Sequence, residues 1–197
     1  MRSIQEYQQI ISESVESFKR DNKDLTLYDP VNYILDLGGK RLRPALLLMS
    51  CDLFGDSIEK AIRPALGIEV FHNFTLLHDD IMDKAPLRRG QKTVHEKWGV
   101  NEAILSGDVM MIQSLQLICE SPNEVLKEVI DVFNQTAIEV CEGQQMDMDF
   151  EIREDVTIAE YLKMIELKTS VLLAGAMKIG ALIGGASDKD ADHIYDF

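Results

Sequence analysis

The sequence predicts an all-α fold, a bundle of antiparallel helices, and three observations carry that expectation. Apolar residues recur at helical spacing along most of the chain. Strand-like alternation persists nowhere, and turn signals are too sparse to punctuate the short strands of a sheet protein. The 197 residues are 46% hydrophobic, enough for one sizeable core, so residues 1–197 are read as a single domain. No internal repeat, low-complexity tract or linker divides them.

Each element has its own signal. Residues 3–20 carry Ile4, Tyr7, Ile10 or Ile11, Val15 and Phe18, the spacing of an amphipathic helix. Asp29-Pro30 opens a second helix, with Asp29 as N-cap and Pro30 in the first turn. Gly38-Gly39 interrupts it. A third helix runs from about Pro44 to Leu53 and stops near Gly55, and a long fourth spans about 58–83. Residues 84–90, with Pro86 and Gly90, read as a loop. Helices follow at about 93–98, 101–119, 122–150 and 157–183. The last two of these open at Ser121-Pro122-Asn123-Glu124 and Asp155-Val156-Thr157-Ile158.

Charge and cysteines narrow the function class. The formal net charge of −14 argues against nucleic acid as a partner and against adhesion to an anionic membrane. An anionic ligand must therefore find its positive charge gathered locally. Cys51, Cys119 and Cys141 are scattered, which gives no disulfide framework or zinc site and fits a reducing cytoplasm. The first residues lack signal-peptide character. The most apolar tract, 171–186, is broken by Lys178 and falls short of the roughly 20 residues of a membrane span. It reads as a buried helix, with no span expected.

Asp79-Asp80-Ile81-Met82-Asp83 is the most informative stretch. Residues four apart share a helix face, so Asp79 and Asp83 project together, with Asp80 turned about 100° away. Paired carboxylates suit a hard cation such as Mg²⁺, which completes its shell with water and phosphate oxygens. Arg88-Arg89-Gly90 follows, and arginines suit phosphate itself. A diphosphate is the simplest ligand that needs both. An acidic helix end before a basic loop is also what a solvated surface looks like, and the neighbours weigh against that. Gly38-Gly39-Lys40-Arg41-Leu42-Arg43-Pro44 supplies a second basic cluster, where the glycines let the backbone approach a ligand. Lys40 and Arg43, three apart, are placed to hold one phosphate between them. Two basic clusters and one acidic one point to two anionic substrates, one of them held through metal. Downstream, Gly143-Gln144 sets polar groups in an apolar helical pattern, and Lys168-Thr169 precedes the apolar tract.

In this order and spacing, Gly39-Lys40-Arg41-Leu42-Arg43-Pro44, Leu77-His78-Asp79-Asp80-Ile81-Met82-Asp83, Arg88-Arg89-Gly90, Gly143-Gln144 and Lys168-Thr169 resemble the trans-isoprenyl diphosphate synthases. These are the polyprenyl synthetases that make farnesyl and geranylgeranyl diphosphate, and the resemblance covers nearly the whole chain. It implies an isoprenoid-synthase bundle around a central cavity, assembled as a homodimer. It implies condensation of isopentenyl diphosphate with dimethylallyl, geranyl or farnesyl diphosphate. The allylic diphosphate leaves under the pull of three Mg²⁺ ions, the cation alkylates the isopentenyl double bond, and a proton is lost. By resemblance Asp79 and Asp83 bind Mg²⁺ with Asp80 in support, while Arg88, Lys168 and Thr169 hold the allylic diphosphate. Lys40, Arg43, His72 and Arg89 hold isopentenyl diphosphate.

The helix before Asp79 also suggests a ruler for product length. At about 1.5 Å rise per residue, Phe74 lies about 7.5 Å and Phe71 about 12 Å below the metal position. In the family an aromatic at the Phe74 position limits elongation. Phe74 with Thr75 beside it looks most like geranylgeranyl (C20) types, Phe71 would shorten the product to farnesyl (C15), and both rings also suit plain core packing.

One departure stands out. The family carries a second aspartate-rich motif on a later helix, and no such cluster occurs in 1–197, since Asp147 and Asp149 belong to the Gly143-Gln144 region. The expectation is an N-terminal portion of such an enzyme, lacking the C-terminal helices and with little synthase activity alone. A class I terpene cyclase, which shares the Asp79–Asp83 pattern, and a non-catalytic subunit of a heteromeric synthase are the alternatives.

Overall fold

The computed structural model describes residues 2–21, 25–55 and 57–197, and the expected all-α architecture holds. The helices are α1 (Ile4–Asp21), α2 (Tyr28–Asp36), α3 (Leu42–Phe54), a 3₁₀ turn (Glu59–Ala61) and α4 (Ile62–Met82). After them come a hairpin of β1 (Leu87–Arg88) and β2 (Gln91–Lys92), then α5 (Val94–Trp98), α6 (Val100–Ile118) and α7 (Leu126–Phe150). The chain closes with α8 (Ile158–Ile165), a π-helical turn (Glu166–Ser170), α9 (Val171–Gly184) and α10 (Asp188–Asp196). It divides into two compact units, residues 2–45 with 62–120 and residues 46–61 with 121–197.

In the first unit, α1 buries Tyr7, Ile11, Val15 and Phe18, one residue per turn. Its end is tied to α2 by the Lys19–Asp36 ion pair. α4 is different in kind. Residues 64–71 are all buried, the pattern of a helix enclosed on every side rather than one lying on a surface. Within that enclosed stretch sits one carboxylate, Glu69. Further along, α6 runs so close to α4 that a Cβ at Gly107 would lie 2.1 Å from Nε2 of His78.

The expected loop at 84–90 proves to hold a hairpin, in antiparallel register Leu87 with Lys92 and Arg88 with Gln91. Arg89 (φ 53°) and Gly90 (φ 78°) both adopt left-handed backbone, the requirement of a tight two-residue turn. Strands this short escape any alternation test. The hairpin's neck is closed by buried Thr93, whose N–H donates to the Pro86 carbonyl (3.2 Å) and whose hydroxyl donates to that of Ala85 (2.7 Å).

In the second unit, α8 begins with a reciprocal cap: Glu160 N–H donates to Oγ1 of Thr157, and Thr157 N–H donates to the Glu160 carboxylate. That start matches the expectation. The π turn then interrupts the helix before α9, which buries eight of its 14 residues. The run Ile158–Gly184 is long and apolar enough to cross a membrane by length and composition, and half of its most apolar window is packed inside the chain.

Three local expectations are corrected. Asp29 is not an N-cap: α2 starts at Tyr28, and Asp29 lies in its first turn, where a carboxylate suits the positive helix end. Residues 121–125 form a turn closed by Val125 N–H to the Pro122 carbonyl (3.1 Å), so α7 starts only at Leu126. α10 was not expected, because its sequence is mostly polar and buries only Ala191.

Candidate functional site

The turn between α2 and α3, the middle of α4 and the hairpin tip converge on a cavity of about 450 Å³. Its lining is Gly39, Lys40, Arg41, Leu42, Arg43, Glu69, His72 and Arg89. All four residues expected to share an isopentenyl diphosphate subsite are therefore brought together. Backbone geometry makes this possible. Gly38 is left-handed (φ 70°), and a Cβ at Gly39 would stand 3.0 Å from Nη2 of Arg89, so glycine is what lets that guanidinium lie over the turn.

Inside the cavity the electrostatics favour an anion. Nη1 of Arg43 donates to Nε2 of His72 at 3.3 Å, which makes Nε2 the acceptor and leaves the ring neutral. Burial, together with the charges of Arg43, Arg89 and Arg88, pushes the His72 pKa down to about 3. Burial also pushes Arg43 below its usual value, with Glu69 opposing it. Nε of Arg43 is buried without a hydrogen-bond partner among the described residues. An orphaned donor on a buried cation is the mark of a site awaiting an acceptor.

Two lining residues had no role in the sequence reading. Nη1 of Arg41 donates to Oε1 of Glu69 at 3.1 Å, with both side chains largely buried. Asn73 Nδ2 donates to the same oxygen at 3.2 Å and to the Glu69 carbonyl at 2.8 Å. Burial pushes the Glu69 pKa up, and Arg41 works against that rise. Only the break in the apolar run of α4 at Glu69 hinted at them.

At the C-terminal end of α4, Asp80 is 2% exposed and Asp79 partly exposed, while Asp83, just past the helix, is exposed. Arg88 reaches back from β1 and forks onto Asp80, Nε to Oδ2 and Nη2 to Oδ1, both at 2.8 Å. The same Nη2 lies 3.5 Å from Asp79. Asp80 is thus engaged with arginine, Asp79 is mostly buried beside the same guanidinium, and Asp83 is the carboxylate exposed to solvent. Among the described residues no group of three His, Cys, Asp or Glu gathers as a ready-made metal site. Two carboxylates suffice for Mg²⁺, whose remaining positions go to water and phosphate oxygens, so the donor set fits that ion.

Of the candidate ruler residues, Phe71 is 1% exposed and belongs to the core, while Phe74 is only partly buried. The Phe74 ring stands edge-on to His78 (4.8 Å between centroids) and 5.6 Å from Phe71. Thr75 turns its hydroxyl onto the His72 carbonyl at 2.8 Å.

In the other unit, Lys168 lies in the π turn and donates to Asp147 of α7 at 2.5 Å, while Thr169 is exposed. A Cβ at Gly143 would fall 2.3 Å from the Lys168 backbone nitrogen, so the glycine lets α7 press against the π turn. Gly143 and Lys168, far apart in sequence, are thereby one local structure.

Known proteins resemble this chain in sequence and in fold. The family model for polyprenyl synthetase matches residues 24–197. A geranylgeranyl diphosphate synthase of Methanosarcina mazei is 47% identical over 173 residues, 87% of this chain and 53% of that protein. A geranylfarnesyl diphosphate synthase of Natronomonas pharaonis is 37% identical, over 99% of this chain and 62% of that protein. A crystal structure of a geranylgeranyl pyrophosphate synthase superimposes with a TM-score of 0.95 at 50% identity, over all of this chain and 60% of that one. The chain thus spans between half and two thirds of the length of these relatives.

Proposed function

The chain belongs to the polyprenyl synthetase family, and from that premise we propose that the protein is a short-chain trans-prenyltransferase. It condenses isopentenyl diphosphate head-to-tail with dimethylallyl, geranyl or farnesyl diphosphate, giving geranylgeranyl or farnesyl diphosphate. One observation carries the reading: a cavity walled by Lys40, Arg43, His72 and Arg89 shares α4 with Asp79, and Asp83 follows in the turn directly after that helix. His72 and Asp79 are seven residues apart, about 10 Å along the helix axis. One rigid rod thus serves both an anion pocket and an acidic end.

In this reading the cavity holds the diphosphate of isopentenyl diphosphate. Arg43 offers its unpartnered Nε, and His72 stays neutral, orienting Arg43 without adding charge. Asp79 and Asp83 hold Mg²⁺, which supplies positive charge to a departing diphosphate. Asp80 keeps Arg88 aligned through its fork, leaving Nη1 of Arg88 for an allylic phosphate oxygen. Lys168, held by Asp147, and Thr169 belong to the other unit, and their part in diphosphate binding rests on the family resemblance. Phe74, the less buried ring, floors the space for the growing chain. Homodimer assembly and a cytoplasmic location belong to the same proposal, and light scattering on the purified protein tests the first.

The deciding experiment is incubation of the full-length parent protein with radiolabelled isopentenyl diphosphate and each allylic diphosphate in the presence of Mg²⁺, followed by chromatography of the dephosphorylated products. C20 or C15 alcohols that depend on both substrates are expected. Hydrocarbon released from the allylic substrate alone, or no isopentenyl-dependent product, would overturn the assignment.

A further inference from the structure

The cavity contains a carboxylate that an anion site does not obviously want. Glu69 is 4% exposed and sits among Lys40, Arg41, Arg43 and Arg89. By charge alone it weakens binding of any diphosphate there. Its contacts give it a different task. Arg41 is left-handed (φ 46°), a conformation that an arginine adopts only against a steric penalty. Its carbonyl accepts the N–H of Ala45 (3.3 Å), so its conformation sets where α3 begins and which way Arg43 points. Its side chain is pinned to Glu69, which Asn73 braces in turn. On the other side of the turn, Gln8 Nε2 holds the Lys40 carbonyl at 2.5 Å.

We propose that Glu69 is a positioning residue for the anion pocket, clamping Arg41 so that the turn between α2 and α3 presents Lys40 and Arg43 to the ligand. The clamp is anchored three residues before His72 on the same helix, so both walls of the pocket take their position from α4. This inference rests on the anion-pocket reading above and adds to it a residue that never touches the ligand. It sets two effects of opposite sign against each other. Removing the Glu69 charge relieves repulsion toward the anion, while removing the clamp releases the turn. The positioning role requires that the second effect win.

The test is Glu69→Gln, which keeps size and hydrogen-bonding ability but loses the ion pair. Binding of inorganic pyrophosphate to the chain is measured by calorimetry, and kcat and KM for each substrate are measured in the prenyl-transfer assay of the full-length parent protein carrying the same substitution. At least tenfold weaker pyrophosphate binding is expected, with a matching rise in KM for isopentenyl diphosphate and little change in kcat or in KM for the allylic substrate. Arg41→Gln should do the same, and the double variant should be no worse than either single one. Unchanged or tighter binding by a folded Glu69→Gln protein refutes the clamp while leaving the pocket intact. Failure of the wild-type chain to bind pyrophosphate would instead refute the pocket itself. Should Glu69→Gln fail to fold, Arg41→Gln carries the same test, and unimpaired binding by it is equally fatal.

Discussion

Replacing Arg88 by Ala isolates the interaction on which the acidic end of α4 depends. Arg88 makes two charge-assisted hydrogen bonds of 2.8 Å to Asp80, whose side chain is 3% exposed. Each such bond contributes about 1.5–3 kcal/mol, and removing one partner of a buried pair costs about 3–5 kcal/mol because the other charge is stranded. Asp79, also within 3.5 Å of that guanidinium, would lose a screen against its neighbour. The expected loss is therefore about 3–5 kcal/mol, a large part of the ~5–15 kcal/mol that holds an ordinary domain together. Arg88→Lys keeps the charge but not the planar fork and should fall between the two. Urea denaturation followed by circular dichroism reads both values by linear extrapolation. A loss below about 1 kcal/mol for Arg88→Ala, with an unchanged slope, would refute the claim that the fork holds Asp80.

Three further outcomes follow from the same geometry. His72 should titrate near pH 3 by NMR. Because its folded pKa lies below the unfolded value of 6.5, its contribution to stability is intact above pH 6.5 and is lost as pH falls from there toward 3. Pyrophosphate should raise that pKa by neutralising the surrounding arginines, and no upward shift would contradict an anion bound beside the ring. Phe74→Ala should lengthen the prenyl product, read by chromatography, and an unchanged product would remove the ring as floor. Gly143→Ala should cost at least about 1–3 kcal/mol in a urea titration, since the new methyl meets Lys168 backbone at 2.3 Å.

Much of this was legible in the residues, and what was not has physical reasons. α1 announced itself because Tyr7, Ile11, Val15 and Phe18 lie on one face, and α8 because Thr157 and Glu160 cap each other locally. Signals confined to a few neighbouring residues can be read without a fold. α10 had no apolar stripe to read, and the hairpin was too short for alternation to register. At the site, the sequence named Asp80 and Arg88 but not their mutual fork, since either carboxylate before it was an equally good partner on paper. Glu69 was the harder case. A glutamate inside a helix is normally a solvated one, and the arginine that explains it stands 28 positions earlier, across a distance only folding closes.

Among the described residues, the non-glycine positions with left-handed backbone are Arg41, Lys84 and Arg89, and two of the three line the anion cavity. A tight turn such as Arg89-Gly90 is better served by asparagine or glycine at its first position. Arginine there trades backbone comfort for a guanidinium held over Gly39. Selection for stability alone would thus pull position 89 toward Asn or Gly and empty the cavity of one charge. A thermostabilising screen blind to activity should recover such replacements at 89, and those variants would outlast the parent on heating while losing their grip on diphosphate.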